Sequence, residues 1–129
     1  DSIAWARGMA KCMDYLRRER GYTCIRYCNI GNEPDGDWSD CGNFATYAKA
    51  VKNLYAEMDQ LGLLEDITIS GPDVYENWSW LDQALDQLDD EIGNIDFHWY
   101  PDAASIGAGS CVHSQSRSAT GTFLFMNLV

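Results

Sequence analysis

Three stretches of this chain repeat apolar residues at helical spacing, and short runs of strand type separate them. Along Ile3 to Arg20, Trp5, Met9, Cys12, Met13 and Leu16 recur on one stripe. Arg17, Arg18 and Arg20 suit a helix C-terminus, and Gly21 supplies the stop. The second stripe, Phe44, Tyr47, Val51, Leu54, Tyr55, Met58 and Leu61, is preceded by Asn43, a good N-cap residue, and closed by Gly62. Trp78, Leu81, Leu85, Leu88 and Ile92 make the third, with Asp82, Asp86, Asp89, Asp90 and Glu91 as its solvated outer face. Between the helices, Ile25 to Ile30, Ile67 to Ser70 and Ile95 to His98 read as strands. The first runs out at Asn32-Glu33-Pro34, and Gly71-Pro72-Asp73 stops the second. Helices alternating with strands in this way predict βαβ units and an α/β fold with a parallel sheet. After Pro101 the periodicity disappears. Residues 102–129 read as an irregular segment ending in a possible fourth strand, Phe123 to Val129.

Composition narrows the partners. With Asp+Glu 20 against Lys+Arg 9, the net charge of -11 repels phosphate backbones and anionic membrane surfaces, so nucleic acid and membrane are not expected partners. A neutral polar ligand such as a sugar is not disfavoured, and five Trp with seven Tyr supply flat faces for stacking. No apolar run approaches membrane-spanning length. Cys12, Cys24, Cys28, Cys41 and Cys111 lack CxxC pairing, which removes a zinc knuckle or a thioredoxin-type motif and leaves buried free thiols as the expectation.

Chemistry gathers at strand ends. Asn32 and Glu33 follow the first strand, Asp73 the second, and His98 with Tyr100 the third. In a parallel sheet these positions share one rim, the carboxyl-end rim where α/β folds place their sites. His98 and His113 are too few for a zinc site, the acids of the third helix lack a calcium loop, and no nucleophile elbow is visible. No metal or cofactor is expected.

Ile30-Gly31-Asn32-Glu33-Pro34 at one strand end and His98-Trp99-Tyr100-Pro101 two strands later resemble the glycoside hydrolases of the clan A type, the (β/α)8 barrels of cellulases, mannanases and β-xylosidases. In that clan Asn-Glu-Pro closes the fourth barrel strand and His-x-Tyr the sixth. The resemblance implies a partial TIM barrel, with residues 1–101 as about strands four to six and Phe123 to Val129 as a possible seventh. It implies Glu33 as the general acid/base and Asn32 as the ligand of the substrate 2-hydroxyl. His98 and Tyr100 would orient the substrate and the nucleophilic carboxylate, with Asp73 on the same rim. Trp38 and Trp99 are candidates for sugar stacking. Secretion would fit polysaccharide degradation.

The match covers only the middle of a barrel, which needs eight strands and about 250 residues. The clan's nucleophilic Glu belongs at the seventh strand end, where Phe125-Met126-Asn127-Leu128 offers none, and no Asp or Glu follows Asp102. A glycosidase fragment with an acid/base, no nucleophile and little activity by itself is therefore the expectation. A non-catalytic sugar-binding module and a flavodoxin-like α/β regulatory domain are the alternatives.

Overall fold

The computed structural model describes residues 2–75 and 77–98 and the backbone of 123–127. Four strands, β1 (Tyr27–Asn29), β2 (Thr68–Val74), β3 (Asn94–His98) and β4 (Phe123–Asn127), form one sheet in the order β1-β2-β3-β4. All three pairings are parallel. Helix α1 (Ser2–Asp14) precedes β1, α2 (Phe44–Gln60) connects β1 to β2, and α3 (Trp78–Gln87) connects β2 to β3. This is a mixed α/β fold built from βαβ units, as the alternation predicts. Residues 102–122, and with them the expected irregular loop, lie outside the described residues.

Helix α2 forms where its pattern placed it. Asn43 accepts from the Thr46 N–H at 2.9 Å and caps the first turn, while Tyr47, Val51, Leu54 and Met58 are buried. The faces of its neighbours match expectation at Met13, Leu88 and Ile92, which are buried, and differ elsewhere. Helix α1 buries Ala6, Ala10 and Met13 and leaves Trp5 38% exposed and Cys12 exposed, so its inner stripe is the alanine row. Small residues let α1 lie close against α2, a contact fastened by Arg7–Glu57 at 3.0 Å and Asn53–Ser2 at 2.8 Å. The α-helix also ends sooner, at Asp14, and gives way to a π-helical turn, Tyr15–Glu19. Helix α3 likewise turns Trp80, Ala84 and Leu88 inward and leaves Trp78 and Leu85 outside. The Trp80 ring meets Phe44 and Tyr47 of α2 edge-on and tilted, at 5.5 and 5.7 Å, which fixes the rotation. Asp82, Asp86, Asp89 and Asp90 are solvated as expected, while Glu91 turns to Lys52 at 3.6 Å.

The strands differ in length. β1 is three residues, shorter than Ile25 to Ile30. β2 does not stop at Gly71-Pro72-Asp73 but runs through it to Val74, with a register shift between Pro72 and Val74. β1 pairs only as far as Ser70, so beyond that point β2 is bonded on one side alone. Pro72 therefore costs no ladder bond there. Gly71 is obligatory for packing: a Cβ would collide with the Tyr47 hydroxyl.

Alternation gives the sheet two unlike faces. Cys28, Ile69, Gly71 and Ile95 meet α2 and α3 in the core. Asn29, Ser70, Asn94, Asp96 and His98 lie on the other face, Asn94 donating to the Ser70 hydroxyl at 2.9 Å. A parallel sheet sandwiched between two helix layers would be apolar on both sides. This one carries a polar face that culminates at the carboxyl-end rim.

The cysteines correct one expectation. Cys28 is buried, and burial pushes its thiol up, whereas Cys12 and Cys24 are exposed and Cys41 is half-buried. Among the described residues all are free.

Candidate active site

Three strand ends converge on His98, the last residue of β3. Its Nδ1 lies 2.7 Å from Glu33 Oε1 and its Nε2 lies 2.9 Å from Asp73 Oδ1. All three side chains are about nine-tenths buried. Among the described residues, Glu33 and Asp73 are the non-glycine residues with positive φ, at 46° and 55°. Left-handed backbone costs an ordinary side chain roughly 1–3 kcal/mol and persists only where the surroundings over-determine it. Here the strain turns two carboxylates inward onto opposite edges of one imidazole.

Beneath this trio lies a third acid. Asp96, two residues before His98 on the same strand face, accepts from the Asp73 backbone N–H at 2.9 Å and from Asn29 Nδ2 at 2.9 Å. Asn29 in turn accepts from the Gly31 N–H at 3.0 Å and so shapes the turn that leads to Glu33. One buried carboxylate thus ties the ends of β1 and β2 to β3. Burial, reinforced by the charge of Asp73, raises the Asp96 carboxyl to about 7. Burial also lifts Asp73, against the opposing pull of His98 and of the Glu33 N–H. Tyr47 approaches from below with its hydroxyl buried and unpartnered among the described residues, and burial next to Asp96 and Asp73 pushes its phenol well up.

An imidazole facing two carboxylates needs two protons among three groups. Either the ring is doubly protonated or one carboxyl carries a proton. The arrangement can hold a proton at Glu33, orient that carboxyl, and exchange protons along Asp73, His98 and Glu33.

The rim residues named from sequence divide into three groups. Glu33, Asp73 and His98 come together. Asn32 is exposed, and among the described residues no hydrogen bond joins it to the cluster. Trp38 is 60% exposed and stands over a neighbouring cleft. Tyr100 and Trp99 lie outside the described residues. Asn29 and Asp96 are the members that sequence reasoning missed. Their signal was present: Asn94, Asp96 and His98 are polar at every second position of a strand otherwise fit for burial on both faces.

Among the described residues no group of three or more His, Cys, Asp or Glu side chains is arranged to hold a metal ion, and no helix is long and apolar enough to cross a membrane. The class defined so far is a parallel α/β domain with a buried carboxylate–histidine cluster at its carboxyl-end rim. No protein-family model matches the sequence, and no curated protein matches it.

Proposed function

We propose that this chain is the central part of a glycoside hydrolase barrel of the clan A type, with Glu33 as the general acid/base of a retaining mechanism. The observation that carries this reading is the grip of Glu33 and Asp73, both in left-handed backbone, on the two nitrogens of His98. The consecutive strand order supports it, since a doubly wound flavodoxin-like sheet reverses at a switch point and this one does not. So does the polar inner face, which in a closed barrel lines the interior.

Cleavage with retention requires one carboxylic acid to protonate the leaving oxygen and a second carboxylate, roughly 5–5.5 Å away, to attack the anomeric carbon. Glu33 takes the first role, held by His98 Nδ1. After the leaving group departs, the same carboxylate takes a proton from the incoming water. Asp73 and Asp96 are committed to His98 and to the strand ends, so neither is assigned as nucleophile. The backbone of β4 puts Asn127 beside His98, where the clan would place its Glu.

The missing nucleophile suggests the test. Alone, the chain should leave aryl glycosides intact. With formate added as an external nucleophile, it should release the phenol, and Glu33→Ala should abolish the release. Formate-dependent turnover that survives Glu33→Ala would overturn the assignment, as would no turnover in formate across a panel of gluco-, manno- and xylo-configured substrates. A non-catalytic sugar-binding module is the second reading, favoured by the aromatic cleft beside the cluster. It predicts oligosaccharide binding with no formate effect.

A further inference from the structure

We infer that the cleft next to Glu33 is a subsite for a sugar unit that carries a protonated amine. The inference rests on the carbohydrate reading above and specifies the substrate class. The cleft, about 420 Å³, opens between the β1–α2 and β2–α3 loops, with Trp38, Tyr75 and Trp78 as aromatic walls over Asp35, Gly36 and Asp37. That volume is in the range of small-ligand sites.

The walls are fixed from within. Asp35 accepts the backbone N–H groups of Tyr75 and Asn77, both at 2.8 Å, and so locks the two loops together. The Trp38 indole rests on Gly36, where any Cβ would collide with the ring, and meets Tyr75 edge-on at 5.3 Å. Trp78 is braced edge-on against Phe97 at 5.4 Å. A cleft held in this way spends little ordering entropy when it is filled.

Its chemistry selects a cation. Among the described residues, two carboxylates line the cleft and no Lys, Arg or His does, in a chain whose net charge is -11. Uronic, sulfated and phosphorylated sugars are repelled. A neutral sugar would stack on the indoles and leave the exposed Asp37 unused. A sugar with an ammonium group uses both, its C–H face on the rings and its charge shared between Asp37 and the aromatic faces. The lining of the cleft begins at Asp35, two residues after Glu33 in the chain.

Titration of the 129-residue chain, followed by calorimetry and amide spectra, tests this with four probes: a glucosamine oligomer, its N-acetylated counterpart, a neutral glucose oligomer and tetramethylammonium. The glucosamine oligomer should bind about tenfold tighter than either uncharged oligomer, a preference that disappears above the pKa of the amine. Asp37→Asn should reduce it to the uncharged level, and Trp38→Ala should abolish binding. Trp38→Phe should retain part of it, and Asp86→Asn on the outer face of α3 should change nothing. Equal affinity for the three oligomers would overturn amine selection while leaving a sugar site in place. Tetramethylammonium binding as tightly as the oligomer would overturn the sugar. An equal loss in Asp86→Asn would mean diffuse attraction to an acidic surface. Absence of binding by all four would overturn the subsite, whereas the role of Glu33 is read separately from formate-dependent turnover.

Discussion

The two ends of the sheet both bury charge, and they use it in opposite ways. At the amino end, the Arg17 guanidinium is 7% exposed and donates to the carbonyls of Thr23 at 3.1 Å and Ile25 at 2.6 Å, with Asp66 at 2.8 Å. Those partners precede β1 and β2, so one cation pins the π-helical turn to the start of two strands. Arginine keeps its charge at any accessible pH, and carbonyls do not titrate. At the carboxyl end the buried cluster is Glu33, Asp73, Asp96 and His98, and burial raises the carboxyls of Asp73 and Asp96. Two of these sit on strained backbone, and Asp96 changes charge near neutrality. The lower rim holds a permanent charge, whereas the upper rim gathers ionisable groups. Barrel enzymes divide stability and chemistry between the same two faces.

The largest effect should fall on the lower rim. Arg17→Ala leaves the part-buried carbonyls of Thr23 and Ile25 without this donor and Asp66 with only the longer contact to Arg26 at 3.9 Å, and should cost about 3 kcal/mol in urea unfolding at neutral pH. Arg17→Lys should recover only part of this, because an ammonium cannot span three acceptors in a planar fork. A loss below about 1 kcal/mol would erase the contrast between the rims. Next comes Gly71→Ala, whose methyl would overlap the Tyr47 hydroxyl under the upper rim. Overpacking of this kind costs about 2 kcal/mol. The double variant with Tyr47→Phe should recover part of the loss, and strict additivity would show that the two do not touch.

A pH series separates the rims without disturbing either. In the folded chain the Asp96 carboxyl is raised to about 7 from an ordinary value of 3.8. The unfolded chain gives up this proton first, so the contribution of Asp96 is complete below about pH 4 and is lost as pH rises through about 7. The slope is no steeper than about 1.4 kcal/mol per pH unit. Asp73, also raised, acts in the same sense. Asp96→Asn should flatten the unfolding midpoint between those pH values, while Arg17→Ala should lower the curve without changing its shape. An unchanged slope in Asp96→Asn would remove the titrating character assigned to the upper rim.

What the sequence disclosed follows the same physical lines. Helix α2 was legible because its large residues face inward and Asn43 caps it. The inner faces beside it were legible only in part, at Met13, Leu88 and Ile92, because close helix contact also selects Ala6, Ala10 and Ala84, whereas a hydrophobic pattern weights the bulky Trp5, Trp78 and Leu85. Glu33, Asp73 and His98 could be named because each ends or follows a strand. Their mutual contact could not, since it depends on left-handed backbone at Glu33 and Asp73 that no propensity favours. Asp96 and Asn29 were overlooked because strands were sought as apolar runs. Gly71-Pro72-Asp73 reads as a stop only when the limited extent of β1 is unknown.

The smallest effect is the most discriminating about how far the upper rim extends. Tyr47 is 1% exposed, and its hydroxyl lies under the Asp73–Asp96 pair with no partner among the described residues. If that hydroxyl is only the tip of a core aromatic, Tyr47→Phe removes an unsatisfied buried dipole and should be neutral or stabilising by up to about 1 kcal/mol. The pH slope assigned to Asp96 should then remain. If the hydroxyl instead donates to the acids above it, the substitution should destabilise the chain and make its loss of stability with rising pH steeper, because the Asp96 anion loses a donor. The structure favours the first outcome, which confines the proton-exchanging group to residues of the strand ends and leaves the helix layer to packing alone.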